Sequence, residues 1–180
     1  MSYITSEEKN LKLQKMKRYF ILLILVLFWC FASNAQESKR ERKAREKFEM
    51  GQLIHSGNFR FIPRSAQSEL GTFENLQTTY EVVFDSLRVK ADLPYYGRAY
   101  NVPYGGSGGV KFDLTAKKME RKWNEKKKMY TIIAELSDRN DTYQLLLTTG
   151  LDGFADLKVI LGNRSWISYF GVIEKAESPK

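Results

Sequence analysis

The chain is poor in the side chains that most catalysis needs. Of its 180 residues one is cysteine and one is histidine. The cysteine, Cys30, lies inside an apolar run near the N-terminus, so residues 36–180 contain no thiol. That excludes a disulfide, a thiolate metal site and a cysteine nucleophile from this part of the chain. His55 alone makes neither a two-histidine metal site nor a Cys-His dyad. A Ser-His-Asp triad would also want a G-x-S-x-G elbow, and the sequence has none. His55, at a predicted helix end, reads as a surface or capping residue. The aspartates Asp85, Asp138, Asp141 and Asp152 fall in predicted turns, where the carboxylate bonds its own backbone. No carboxylate spacing marks a glycosidase-type pair, and Asp138 to Thr142 lacks the twelve-residue calcium-loop pattern. Gly105 to Gly109 lacks the Gly-Lys-Ser/Thr of a phosphate loop and opens a strand, so nucleotide binding is discounted. The sequence thus predicts no catalytic residues, no metal and no cofactor.

What the chain has first is a leader. Tyr19 to Ala32 is an uncharged apolar run of fourteen residues after Lys15, Lys17 and Arg18, followed by Ser33-Asn34-Ala35. Small residues three and one before the cut predict a signal peptide cleaved after Ala35. The alternative is an uncleaved anchor, for which fourteen residues fall short of the roughly 20 that span a bilayer. Met16 opens a more ordinary export sequence than Met1 and is an alternative start. The predicted destination is the periplasm or the extracellular space, with no transmembrane span in the mature chain. Cleavage would remove five Lys/Arg and two Glu from the 29 basic and 21 acidic residues, leaving 24 and 19, a net charge of +5. Such a mild excess suits a solvated surface, and export removes nucleic acid as a partner.

Residues 36–57 read as a charged helix, with strong formers, the pair Glu41 and Arg45 one turn apart, and Gly57 as its stop. From Asn58 the hydrophobic period becomes two, and 58–180 reads as a single β-rich domain. Phe59 and Phe61 mark a first strand. Tyr80, Val82 and Phe84 alternate in one phase and Leu87, Val89 and Ala91 in the other, which predicts a hairpin over 78–92 turning at Asp85-Ser86. Later strands are marked by Val110 to Leu114, Lys118 to Trp123, Lys128 to Leu136, Tyr143 to Leu147, Ala155 to Leu161 and Trp166 to Ile173. Strands joined by short turns without helices predict an α+β fold: a curved antiparallel meander or partly open barrel of about eight strands, with the N-terminal helix as cover.

The densest chemistry lies in Pro94 to Gly109, PYYGRAYNVPYGGSGG, which holds four tyrosines, an arginine and five of the twelve glycines. Aromatic faces beside a guanidinium can stack on a sugar, hold a carboxylate or anchor a protein partner. Tyr95, Tyr96, Arg98, Tyr100 and Tyr104, joined by Arg164 and Trp166, are the candidate ligand residues. The other reading is that the tyrosines cover the open end of the core while Pro94 and Gly97 turn the chain.

The order of Phe59-Arg60-Phe61, Leu93 to Tyr100 (LPYYGRAY), Gly108 to Phe112 (GGVKF), Asp141-Thr142-Tyr143, Asn163-Arg164-Ser165 and Ile167 to Gly171 (ISYFG) resembles the domain of unknown function 4251 family, small exported proteins of Gram-negative bacteria. The resemblance implies a signal peptide, a helix and a β-rich domain, and it implies no activity. Many relatives look like lipoproteins, whereas here Trp29 rather than a small residue precedes Cys30. Two functions are expected: a non-catalytic periplasmic or secreted module that binds a small molecule, glycan or envelope protein, or an envelope interaction module acting through a sheet edge or the helix.

Overall fold

The structure is a computed structural model that describes residues 39–77, 79–98, 108–139 and 141–176. The leader, its cleavage site, Tyr100 and Tyr104 lie outside the described residues. The chain divides into two units, Met1–Ala44 and Arg45–Lys180. The described part of the first is helical and exposed from Lys39 to Ala44. Helix α1 spans Lys39–Ser56 and ends where Gly57, at φ +76°, takes the left-handed conformation that the sequence assigns to it.

The second unit is a curled antiparallel sheet. Its strands are β1 (Asn58–Ser68), β2 (Phe73–Asn75), β3 (Glu81–Asp85), β4 (Arg88–Pro94), β5 (Gly109–Thr115), β6 (Lys118–Asn124), β7 (Met129–Ser137), β8 (Thr142–Gly150), β9 (Phe154–Leu161) and β10 (Ile167–Lys175). The expected curved sheet is present, with nine strands along its path and β2 added beside β1. The order is β5-β4-β3-β1-β10-β9-β8-β7-β6, so it is not a simple meander. First and last strands pair with each other, while β5 and β6, consecutive in the chain, form the two ends of the path. Only Ala116 and Lys117 join them. The Ala116 N–H donates to Leu87 O on one wing and the Lys117 N–H to Glu135 O on the other, each at 2.8 Å. The chain therefore turns a corner from one wing to the other, and the sheet becomes a half-barrel.

Alternation fills its interior. Phe59, Phe61, Val82, Phe84, Val89, Leu93, Ile132, Leu145, Leu147, Leu157, Val159, Ile167 and Tyr169 are all buried, with Phe59 and Phe84 stacked at 4.8 Å. In β1 the register shifts between Pro63 and Ser65. That extra residue resets the phase, so Ala66 and Ser68 face inward after Pro63. The hairpin predicted over 78–92 is there, but Asp85 still pairs with Arg88 and the turn is Ser86-Leu87. Ser86 adopts φ 57° and Leu87 is exposed rather than inward.

The end of α1 closes one mouth of the half-barrel. Ile54 is fully buried, with Met50 and Leu53 packed beside it against the core. Met50 lies over the β8–β9 turn, where Gly153 at φ +81° has no side chain to obstruct it. The opposite mouth is built differently, and there the candidate residues gather.

Candidate functional site

Three connections meet at the mouth away from α1: the start of the β4–β5 loop, the β7–β8 turn and the β9–β10 turn. The Tyr95 hydroxyl lies 2.8 Å from Ser165 O and 3.0 Å from both Ser165 Oγ and Arg98 O. The Arg98 N–H donates to Ser165 Oγ at 3.0 Å, and the Ser165 N–H returns a bond to Arg98 O at 3.0 Å. These bonds clasp the β4–β5 loop to the β9–β10 turn around one phenol. Gly97 sits inside the clasp: a Cβ there would meet the Tyr95 hydroxyl and come within 2.6 Å of Ser165 Oγ. Only glycine lets the backbone approach so closely.

Beneath the clasp, Tyr169 is fully buried and its hydroxyl donates to Pro94 O at 2.6 Å. Burial holds that phenol far above its ordinary pKa. Half-buried Arg164 donates to Gly109 O at 3.2 Å and lies 5.4 Å from the centroid of the Tyr95 ring, a cation–π distance. Phe112 and Tyr143 meet with centroids 4.6 Å apart, bringing β5 against β8 across the curl. Burial, and then the carboxylates of Asp138 and Asp141, push the Tyr143 pKa up to about 12. A cavity of about 370 Å³ opens beside Tyr143, between Glu135, Gln144 and Gly162.

Of the four aspartates predicted in turns, Asp85 lies at the end of β3, while Asp138, Asp141 and Asp152 each accept a backbone N–H. Asp138 Oδ1 accepts from the Asp141 N–H at 2.7 Å, and Asp141 Oδ1 accepts from the N–H groups of Thr142 at 2.9 Å and Gly162 at 3.1 Å. The single histidine is exposed at the end of α1. Among the described residues no group of three or more His, Cys, Asp or Glu can hold a metal ion. No described helix is long and apolar enough to cross a membrane.

The seven predicted residues thus part company. Tyr95 and Arg164 face each other in the clasp. Tyr96, 39% exposed, and Arg98 point to solvent at its edge. The Tyr96 phenol is pushed up by partial burial and then by Tyr80 and Glu74. Trp166 keeps its backbone at the rim, accepting the Glu69 N–H at 3.3 Å, but its ring lies 3.8 Å beneath Lys158 Nζ on the outer face of the sheet. Tyr100 and Tyr104 lie outside the described residues. Sequence reading missed Ser165 and Tyr169 as parts of the mouth. Strand alternation places Tyr169 inward, whereas nothing in the sequence signals that Ser165 receives the clasp.

Fold and site together define a class: an antiparallel half-barrel with a helix in one mouth and a tyrosine-centred clasp at the other. The family described as Domain of unknown function (DUF4251) matches residues 41–173, and the chain belongs to it. It is similar to the crystal structure of a DUF4251 family protein from Bacteroides eggerthii DSM 20697, with a TM-score of 0.57 and 16% identity over 73% of this chain and 89% of that one. No curated protein matches the sequence.

Proposed function

We propose that the protein is an exported, non-catalytic binding module that presents Tyr96 and Arg98 to its ligand from the edge of the clasp. The observation that carries this reading is the division of labour between neighbours: Tyr95 is fixed on Ser165, while the next side chains turn outward on the backbone that it fixes. A phenol and a guanidinium held in this way lose little freedom on binding, which favours affinity. A non-catalytic role is supported by the lone exposed histidine and by turn carboxylates engaged with backbone amides. Export rests on the leader read in residues 19–35.

The test is a thermal-shift screen of the protein recovered after expression of the full chain, against envelope glycans, lipids, bile acids and peptides, with Tyr96→Ala/Arg98→Ala alongside. A ligand at a hundred times its Kd adds about 2.7 kcal/mol. A shift in the wild type that disappears in the folded variant supports the rim. An equal shift in both places that ligand elsewhere on the molecule, and a screen in which no shift depends on Tyr96 and Arg98 overturns the rim. Export is tested by intact mass: the recovered protein should begin at Gln36, and an uncleaved N-terminus overturns that part.

A second reading has its own observation. Among the described residues β2 pairs only with β1, and all three of its residues are exposed, Phe73 among them. Such an edge can add a strand from an envelope protein. Capture of a partner that is lost in Phe73→Lys and kept in Tyr96→Ala/Arg98→Ala would favour it.

A further inference from the structure

The outer face of β8, β9 and β10 carries rings where alternation calls for polar groups. Ala155, Leu157, Val159 and Leu161 are buried in β9, which turns Phe154, Asp156 and Lys158 outward. In β10 the buried residues are Ile167, Tyr169, Gly171 and Ile173, so Ser168, Phe170 and Val172 face out. Phe154 is 61% exposed and Phe170 44%. The register sets Phe170 opposite Asp156, Asp156 opposite Thr148, and Val172 opposite Phe154. On the other side of β10 the register shift in β1 brings Arg64 and Ser65 alongside Phe170. Arg64, Ser65, Met129, Thr148, Phe154, Asp156 and Phe170 line a groove of about 330 Å³, at the small end of the roughly 300–1,000 Å³ typical of ligand sites.

Asp156 is half-buried on the groove floor, and burial pushes its carboxyl pKa up while Lys158 opposes that shift. Among the described residues its carboxylate has no hydrogen-bond or ion-pair partner. Two exposed rings beside a carboxylate invite a ligand with a flat apolar face and groups that donate to an oxygen.

Charge selects among the candidates. A cationic ligand would meet Arg64 in the groove wall and Lys158 two residues along β9. An anionic one would meet Asp156 where the low dielectric makes like charge costly. A neutral ring with C–H faces and hydroxyls meets neither penalty. Its hydroxyls can donate to Asp156 and accept from Arg64, with Thr148 and Ser65 able to do both. We propose that this groove binds a neutral sugar unit of a glycan, stacked on Phe170 and Phe154 and hydrogen-bonded to Asp156 and Arg64. The site lies on the outer sheet face and is independent of the rim.

The test is calorimetric titration of the protein, recovered after full-chain expression, with hexasaccharides of glucose, mannose, galactose and N-acetylglucosamine at low and high salt. At least one should saturate a single site with an affinity that salt leaves unchanged, since no net charge is paired. Phe170→Ala should weaken it roughly tenfold, as loss of one stacking ring does, and Asp156→Asn several-fold. The rim variant Tyr96→Ala/Arg98→Ala should bind as well as wild type. Phe154 and Phe170 are exposed, so either alanine variant should fold; Phe154→Ala repeats the test where Phe170→Ala lowers the melting temperature. Four saccharides that fail to saturate overturn the proposal. So does binding that survives both ring substitutions, that salt abolishes, or that only the rim variant loses.

Discussion

The Tyr95 hydroxyl stands within 3.0 Å of three oxygens on two connections, the β4–β5 loop and the β9–β10 turn, which Ser165 Oγ also joins by accepting from the Arg98 N–H. Tyr95→Phe removes it while keeping the ring under Arg164. The loss should be about 1–2 kcal/mol, the cost of leaving part-buried polar groups unpaired, and a thermal melt should show it as a drop of roughly 3–6 °C. The phenols also set an alkaline limit. Tyr143, with its pKa pushed up to about 12 from an ordinary value of 10.0, and Tyr169, raised further by burial, stay protonated in the folded protein after they would ionise in the unfolded one. Between those values the folded state holds more protons, so stability falls as pH rises. Melting temperature should be insensitive to these groups below about pH 10 and should decline from there toward 12, with absorbance showing phenolate forming late. Tyr95 and Tyr96 mark a limit of sequence reading at this scale. The inward phase of Val89, Ala91 and Leu93 carries on to Tyr95 and leaves Tyr96 outward, so which ring faces in was legible, but the partner that fixes Tyr95, Ser165, lies seventy residues away.

Elements were legible wherever side-chain period carried them. Strands β7 to β10 read directly because buried and exposed residues alternate through them. Strand β2 did not, since three exposed residues carry no alternation. The later half of β1 was hidden by its register shift, which breaks the period at Pro63 and Ser65. Phe154 and Phe170 were visible as apolar residues out of phase with their strands, a signal easily dismissed as noise in the pattern. The helix was read from composition, and its contribution to the core comes down to a few residues near its end. Ile54→Ala should cost about 2–5 kcal/mol, the range for emptying a buried large aliphatic site. Phe48→Ala, at a residue 65% exposed, should cost little by comparison. Denaturant midpoints of the two variants check this contrast.

At the scale of the whole molecule, the neighbours in sequence that pair in space were predictable: β3 with β4, β4 with β5, and each strand from β6 to β9 with the next. What could not be read was where this rule fails, because pairing of β1 with β10 joins residues as far apart as Phe59 and Lys175, and no local pattern encodes it. That long-range closure should make folding slow, in the millisecond-to-second range of sheets dominated by distant contacts. A chain ended before Ile167 lacks the strand that β1 and β9 both require, and far-ultraviolet circular dichroism should show it unfolded.

The β1–β10 ladder also has a mechanical meaning. Phe59 pairs with Lys175, so the strand that begins the sheet and the strand that ends it come together at one point. Tension applied through the two chain ends would open that ladder rung by rung, like a zipper, rather than load all of its hydrogen bonds at once in shear. The domain should therefore yield at low force in a pulling experiment. It is suited to being held at one end with its far mouth free, and poorly suited to carrying load between two attachments.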